Sequence, residues 1–128
     1  MNPSFTFTID CGPGTLWKCK VFVWPSKMSM HHNRKANAGV TDCDAFCRQY
    51  GSTDAWKKEL ACEMHFNRQD IRLKYVVHES SHAAIAYLKL VKLDINTAVG
   101  DEGLAESIEH LVDGTLYYLK RRKVKMKP

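Results

Sequence analysis

The sequence predicts one α+β domain in which a small, mostly antiparallel sheet from the N-terminal half packs on two C-terminal helices. Two patterns predict this class: apolar residues alternate in the first half of the chain and recur at steps of three and four in the second half. The chain has 128 residues and 45% hydrophobic composition, which suits a single core. We expect residues 1–68 to be strand-rich, residues 69–119 to form a helix pair and residues 120–128 to be a basic tail.

Three strands are expected in the first half. Residues 5–9 alternate between apolar and polar side chains. Residues 16–24 also place alternate side chains on two faces, and a turn that contains glycine or proline flanks them on each side. These two segments could pair as a hairpin. Residues 60–66 alternate as well, although residues 54–61 could instead be helical.

The stretch between the second and third strands carries weaker signals. Residues 27–40 show little periodicity and are interpreted as a loop. A short helix is expected next, running through Ala45, Phe46 and Tyr50 to a stop at Gly51.

Two long helices are expected in the second half. The first spans residues 69–93, with Asn67 or Asp70 as its N-terminal cap. The second begins at Asp101 and runs to residue 119. Its inward positions are Leu104, Ile108, Leu111, Thr115 and Leu119.

The positive charge of the chain is concentrated in its tail. The formal net charge is +5, and residues 120–127 alone contain six lysines and arginines. Such a cluster could bind nucleic acid through phosphates, with Lys120, Arg121, Arg122 and Lys123 as the contacts. The alternative is a frayed, solvated helix end, because basic residues also favour a helix C-terminus.

The cysteines and the N-terminus predict a cytoplasmic protein with reduced thiols. Five cysteines are an odd number, and the first ten residues lack a basic and apolar leader. No apolar run is long enough for a membrane span, so no membrane partner is expected. Cys43 and Cys47 could form a second zinc site with Cys62, or with His31 and His32, but buried thiols are the default interpretation.

The residues that point to chemistry are His78, Glu79 and His82, which match HExxH inside the first long helix. A spacing of four places both imidazoles on one helix face, so both can bind one ion. Two imidazoles and one carboxylate leave the fourth position of zinc open, and zinc makes water acidic enough to attack a carbonyl. We therefore expect one Zn²⁺ ion, with Glu79 as the catalytic base. The alternative is two structural histidines beside a solvated glutamate.

This pattern resembles the zincin metallopeptidases, and among them the gluzincins, in which a second helix supplies a glutamate as third ligand. Glu102 follows His82 by twenty positions and opens the second predicted helix. The resemblance implies that Glu102 binds the metal. It also implies that Glu106, where gluzincins have aspartate, accepts a hydrogen bond from a ligand histidine. Glu106 or Glu109 as ligand is the alternative.

The segments VVHESSHA, residues 76–83, and DEGLA, residues 101–105, are also similar to small HExxH proteins encoded by bacteriophages and prophages. This resemblance implies a minimal zincin-like domain and, for a phage-encoded protein, a place in the host cytoplasm. The expected function is zinc-dependent, metallopeptidase-like hydrolysis of a peptide or amide carbonyl in a peptide or protein substrate. One alternative is a catalytically inactive zinc-binding phage protein that binds a host protein or nucleic acid. Another is a nucleic-acid binder without metal.

Two further parts of a peptidase site are expected from the resemblance. Gluzincins add a tyrosine or histidine that stabilises the oxyanion, and the candidates are Tyr87, His110, Tyr117 and Tyr118. Zincins bind their substrate against an edge strand. Residues 60–66 could be that edge strand or an ordinary core strand, and the sequence leaves the oligomeric state open.

Overall fold

A computed structural model describes residues 2–32 and 43–128 of the chain. The elements follow in the order β1 (Phe5–Asp10), β2 (Lys18–Trp24), α1 (Lys27–His32), β3 (Ala45–Gln49), α2 (Ser52–Lys58), β4 (Leu60–Asn67), α3 (Leu73–Leu90) and α4 (Ala98–Arg121). The predicted α+β class is confirmed, because the strands form one sheet and the two C-terminal helices pack on it.

The sheet has the strand order β1-β2-β4-β3. β1 and β2 form the expected antiparallel hairpin, β4 lies parallel to β2, and β3 pairs antiparallel with β4. Residues 60–66 therefore belong to an inner strand, which is the core-strand alternative. The strand at the edge on that side of the sheet is β3.

The stretch between β2 and β4 differs from the sequence expectation. The short helix predicted through Ala45 and Tyr50 is wrong, since Ala45–Gln49 is a strand whose residue Cys47 pairs with Met64 of β4. Pairing with a distant strand overrides the weak local signal there. Lys27–His32 is a helix rather than a loop, because Ser26 accepts a hydrogen bond from the Ser29 backbone at 3.1 Å and so caps its first turn. The rest of the predicted loop, residues 33–40, lies outside the described residues.

α2 confirms part of the helical alternative for residues 54–61. It spans Ser52–Lys58 and ends where Glu59 adopts a left-handed conformation with φ of 57°. The chain then enters β4 at Leu60.

α3 begins later than the sequence predicts. Its first residue is Leu73, and neither predicted cap lies at its N-cap position, which Arg72 occupies. The Asn67 side chain instead accepts a hydrogen bond from the backbone of Gln69 at 3.0 Å, inside the turn after β4.

α4 begins one turn earlier than expected. Thr97 is its N-cap and accepts a hydrogen bond from the backbone N–H of Gly100 at 3.0 Å. A Cβ at Gly100 would lie 1.8 Å from the carbonyl oxygen of Asp94, so only glycine lets the α3–α4 connection pack this closely.

The core lies between the sheet and the helix pair. α3 buries a face that includes Val76, Ser80 and Ala83, whereas Val77 is 40% exposed. α4 buries the three inward positions nearest its C-terminal end, and the other two pack against the core while partly buried. These five are Leu111, Thr115, Leu119, Leu104 and Ile108. The predicted inward face of α4 is therefore confirmed.

The chain beyond α4 turns back onto the body of the protein. Val124 is buried, and the backbone N–H of Lys127 donates to the carbonyl of Ile71 at 2.8 Å, just before α3. The tail is thus not a frayed end, although Lys120–Lys123 are exposed. Within the described ranges, no helix is both long and apolar enough to cross a membrane.

Candidate metal centre

Two histidines of α3 bring their ring nitrogens together on the helix surface. The Nε2 atoms of His78 and His82 are 3.2 Å apart, and both side chains are exposed. This separation follows from the helix itself, because residues four apart lie one turn above each other. The HExxH spacing therefore produces the paired imidazoles that the sequence predicts.

Glu79 lies beside this pair but is turned inward. Glu79 is only 6% exposed, whereas its neighbour His78 is exposed. One ligand atom from each of His78, Glu79 and His82 lies within 4.8 Å of the others. Across residues 2–32 and 43–128, no other group of histidine, cysteine, aspartate or glutamate side chains is this compact.

The donor set fits a zinc ion. Zn–N bonds of 2.0–2.1 Å at a tetrahedral angle place two nitrogen ligands about 3.3 Å apart. The Nε2 atoms of His78 and His82 are 3.2 Å apart. Without a metal, the same geometry lets one ring donate a hydrogen bond to the other.

β3 forms the opposite wall of a groove of about 420 Å³ in front of the histidines. The side-chain amide of Gln49 donates to the carbonyl of His82 at 3.5 Å and joins the strand to α3. The wall residues are Cys43, Ala45, Phe46, Cys47 and Gln49. Sequence reasoning missed this wall, because β3 is held by its pairing with β4 and its own five residues carry no clear strand signal.

The glutamates of α4 do not line this groove. Glu102 and Glu106 are exposed and line a different cavity of about 510 Å³, together with Gly12 and Tyr87. Neither belongs to the compact group of His78, Glu79 and His82. Glu102 as third ligand and Glu106 as hydrogen-bond partner of a ligand histidine stay predictions.

None of the four candidates for oxyanion stabilisation lines the groove. Tyr87 lines the cavity of Glu102, whereas His110, Tyr117 and Tyr118 line a third cavity near β1. Gln49, which lines the groove, has a side-chain amide that donates a hydrogen bond to the His82 carbonyl.

In the described part of the chain, the cysteines form no second group as compact as that of His78, Glu79 and His82. Cys43 approaches His31, with 4.0 Å between its Sγ and the ring Nε2. Cys62 instead lies in the core. Hydrogen bonds with the thiols of Cys11, Cys19 and Cys47, together with burial, raise the pKa of Cys62 well above its ordinary value.

Two of the basic residues near the end of α4 have neighbours on the protein itself. The Arg121 guanidinium donates to the Tyr117 hydroxyl at 3.1 Å, and that of Arg122 lies 5.0 Å from the ring centre of Phe5. Nucleic-acid binding by these residues stays a prediction.

A second histidine–glutamate pair lies on the other face of the sheet. The His65 ring is stacked between Phe22 and Phe46, with ring centres 4.5 and 4.4 Å away. Its Nδ1 accepts a hydrogen bond from the Trp24 indole at 3.0 Å, and its Nε2 lies 3.1 Å from a carboxylate oxygen of Glu63. Because an indole N–H can only donate, Nε2 carries the proton and donates to Glu63.

Glu63 is the acceptor at the end of this chain of hydrogen bonds. Burial acts to raise the pKa of Glu63, but hydrogen bonds from His65 and Tyr50 outweigh it and lower the pKa below its ordinary value. Burial and the hydrogen bond to Glu63 raise the pKa of Tyr50, so its hydroxyl stays protonated and donates.

Comparison with known protein families, curated proteins and solved structures finds no match to this chain. The function is therefore inferred from the chemistry of the groove between α3 and β3.

Proposed function

We propose that this protein is a zinc-dependent hydrolase of the metallopeptidase type, acting on a peptide or amide carbonyl. The observation that carries the proposal is the 3.2 Å separation of the His78 and His82 ring nitrogens, with the Glu79 carboxylate inside the same compact group. Histidines on a helix surface with such a separation, next to an inward-turned glutamate, suit one metal ion and one base.

A bound zinc ion would act as a Lewis acid and lower the pKa of a water molecule at its open position to about 7. With the ion in place, Glu79 would accept a proton from water and later pass it to the leaving amine. The burial of Glu79 supports this role, because a base shielded from bulk water acts in a region of lower dielectric constant. His78 and His82 would hold the ion, and both are exposed and line the groove that a substrate would enter.

The resemblance adds Glu102 as third ligand and Glu106 as the partner of a ligand histidine. In this structure both residues line the cavity that Gly12 and Tyr87 share, apart from the groove of the histidines. The hydrolytic role does not depend on which residue completes the metal site. It depends on the two histidines and on Glu79.

β3 supports a peptide or protein as the substrate. It is an edge strand, and no described strand pairs with its outer edge. An extended peptide can add to such an edge through backbone hydrogen bonds, which would lay its carbonyl groups along the groove of His78 and His82.

The test compares wild type with Glu79→Gln after zinc loading. Cleavage of a mixture of random decapeptides is followed by mass spectrometry, and zinc content is measured on the same samples. Removal of a general base typically lowers a rate by about 10² to 10⁴-fold. We expect that loss in Glu79→Gln while one zinc per chain is retained.

Two outcomes would contradict the proposal. Equal cleavage by wild type and Glu79→Gln would show that the peptide bonds are cut elsewhere. Zinc binding without any cleavage by wild type would favour the catalytically inactive zinc-binding protein, which acts through contact with a host protein or nucleic acid.

A further inference from the structure

β3 runs beside α3 in the same direction, and two hydrogen bonds set their alignment. At one end the Tyr75 hydroxyl donates to the Asp44 carboxylate at 3.4 Å, and at the other the Gln49 amide donates to the His82 carbonyl at 3.5 Å. Residues 44–49 therefore lie along residues 75–82. Cys47 falls between the two contacts, opposite the helix turn that joins His78 to His82.

The Cys47 side chain is on the side of β3 that faces α3. Side chains alternate along a strand, so Cys47 shares its face with Gln49, which contacts α3. Its register partner Met64 lies under the same helix, because the Ser80 hydroxyl of α3 donates to the Met64 sulfur at 3.8 Å. Cys47 is thus placed between the sheet and the turn that carries the histidines.

Cys47 is also one of the residues that line the groove. Cys47 is partly exposed and lines the groove together with His78, Glu79 and His82. Its sulfur contacts the thiol of Cys62 and lies outside the compact group of the other three residues. A cysteine sulfur changes position by rotation about the Cα–Cβ bond between staggered positions, without movement of the backbone.

From this placement we infer that Cys47 is the third protein ligand of the metal held by His78 and His82. Zinc binds cysteine sulfur at about 2.3 Å and is found with mixed cysteine and histidine ligands in open, catalytic sites. Glu102, the third ligand implied by the resemblance, lines a different cavity. The inference rests on the proposed function, since it requires that the two histidines bind a metal.

This assignment keeps the chemistry of the site and changes its donor set. Two neutral imidazoles and one thiolate leave the fourth position open, and Glu79 remains the base. All three ligands then come from α3 and the edge strand β3, so the metal would join the two walls of the groove.

The inference is tested with Co²⁺ in place of zinc, because cobalt bound to a thiolate shows a sulfur-to-metal charge-transfer band in the near ultraviolet. Full-length wild type and the variants Cys47→Ser, Cys43→Ser, Glu102→Gln and His82→Ala are titrated with Co²⁺ and, in competition with a chelator, with Zn²⁺. Cys43→Ser is the matched control, since Cys43 lines the same groove but lies ahead of β3 and beside His31. Circular dichroism reports whether each variant is folded.

We expect the band in wild type, Cys43→Ser and Glu102→Gln, and its loss in Cys47→Ser and His82→Ala. Zinc affinity should fall about 100-fold or more in Cys47→Ser, because residues that only orient a ligand are already worth about 10- to 100-fold. The band in wild type tests for a thiolate ligand even if a variant fails to fold.

Four results would overturn the inference. Cobalt bound by wild type without the band, or a loss of zinc affinity in Glu102→Gln but not in Cys47→Ser, would leave the histidine site and the proposed function standing while removing Cys47 from it. A band that persists in His82→Ala would place the metal on the buried cysteines. The absence of any bound metal in wild type would overturn the proposed function as well.

Discussion

One histidine–glutamate cluster lies on the outer face of the sheet, away from α3, and another lies on α3 itself, and the clusters differ in how their ring nitrogens are used. On the outer face, both nitrogens of His65 are engaged, one by the Trp24 indole and one by Glu63. On the helix side, the described partner of each ring Nε2 of His78 and His82 is the other ring, and both side chains are exposed.

This difference separates a structural histidine from a candidate ligand. The His65 ring is 8% exposed and stacked between two aromatic rings, so its nitrogens cannot turn to a ligand without loss of packing. The rings of His78 and His82 can bind a metal by replacing only one hydrogen bond between themselves. The same residue types therefore stabilise the fold on one face and offer chemistry on the other.

The largest expected effect that would sharpen this comparison is the loss of zinc from His82→Ala. Zinc affinity should fall at least about 100-fold, because a single imidazole remains on the helix. Loss of a residue that only hydrogen-bonds to a metal ligand already lowers metal affinity by about 10- to 100-fold. The free energy of unfolding of the metal-free protein should change by no more than about 0.5 kcal/mol, as is typical of exposed sites. Calorimetric zinc titration and urea unfolding measure the two quantities. A large stability loss would make His82 structural and break the comparison.

The converse is expected for His65→Ala. Removal of the stacked ring leaves the Trp24 indole without its acceptor and takes one of two hydrogen-bond donors from Glu63, and should lower the free energy of unfolding by about 2 kcal/mol. Urea unfolding measures it, and zinc affinity of the folded protein should be unchanged. His65→Phe is the control, because it keeps an aromatic ring between Phe22 and Phe46 and isolates the contribution of the hydrogen bonds. Weaker zinc binding in either variant would mean that the two clusters are coupled.

A smaller effect is expected in the pH dependence of stability. The pKa of Glu63 is lower in the folded protein than its ordinary value of 4.5, so its stabilisation is complete above that value. It is lost as the pH falls below 4.5 and through the folded pKa, because protonation then favours the unfolded chain. Urea unfolding from pH 7 to pH 3 should show a shallower acid loss in Glu63→Gln than in wild type. If the free energy of unfolding falls equally with pH in both proteins, the loss of stability in acid belongs to other carboxylates.

The sequence predicts the site where the chemistry is local and misses it where the contacts are distant. The spacing of His78 and His82 sets their geometry on any helix, so three residues sufficed to find the candidate centre. The groove wall depends on β3, whose strand structure comes from pairing with β4, and the sequence predicted a helix there. Cys47 and Gln49 therefore had no visible relation to the histidines. The inward face of α4 was predicted because its apolar residues repeat with the helix period.

The position of β4 has a consequence for how the protein is made. β4 is the last strand of the chain, yet it lies between β2 and β3 and is the only described strand that pairs with β3. Until residue 67 has been synthesised, a nascent chain holds one hairpin with an open edge and a β3 segment without its partner. Contacts that join such distant segments form slowly and leave strand edges exposed to other chains. The two walls of the groove can therefore meet only after β4 has closed the sheet and α3, which follows it in the chain, has a surface on which to dock.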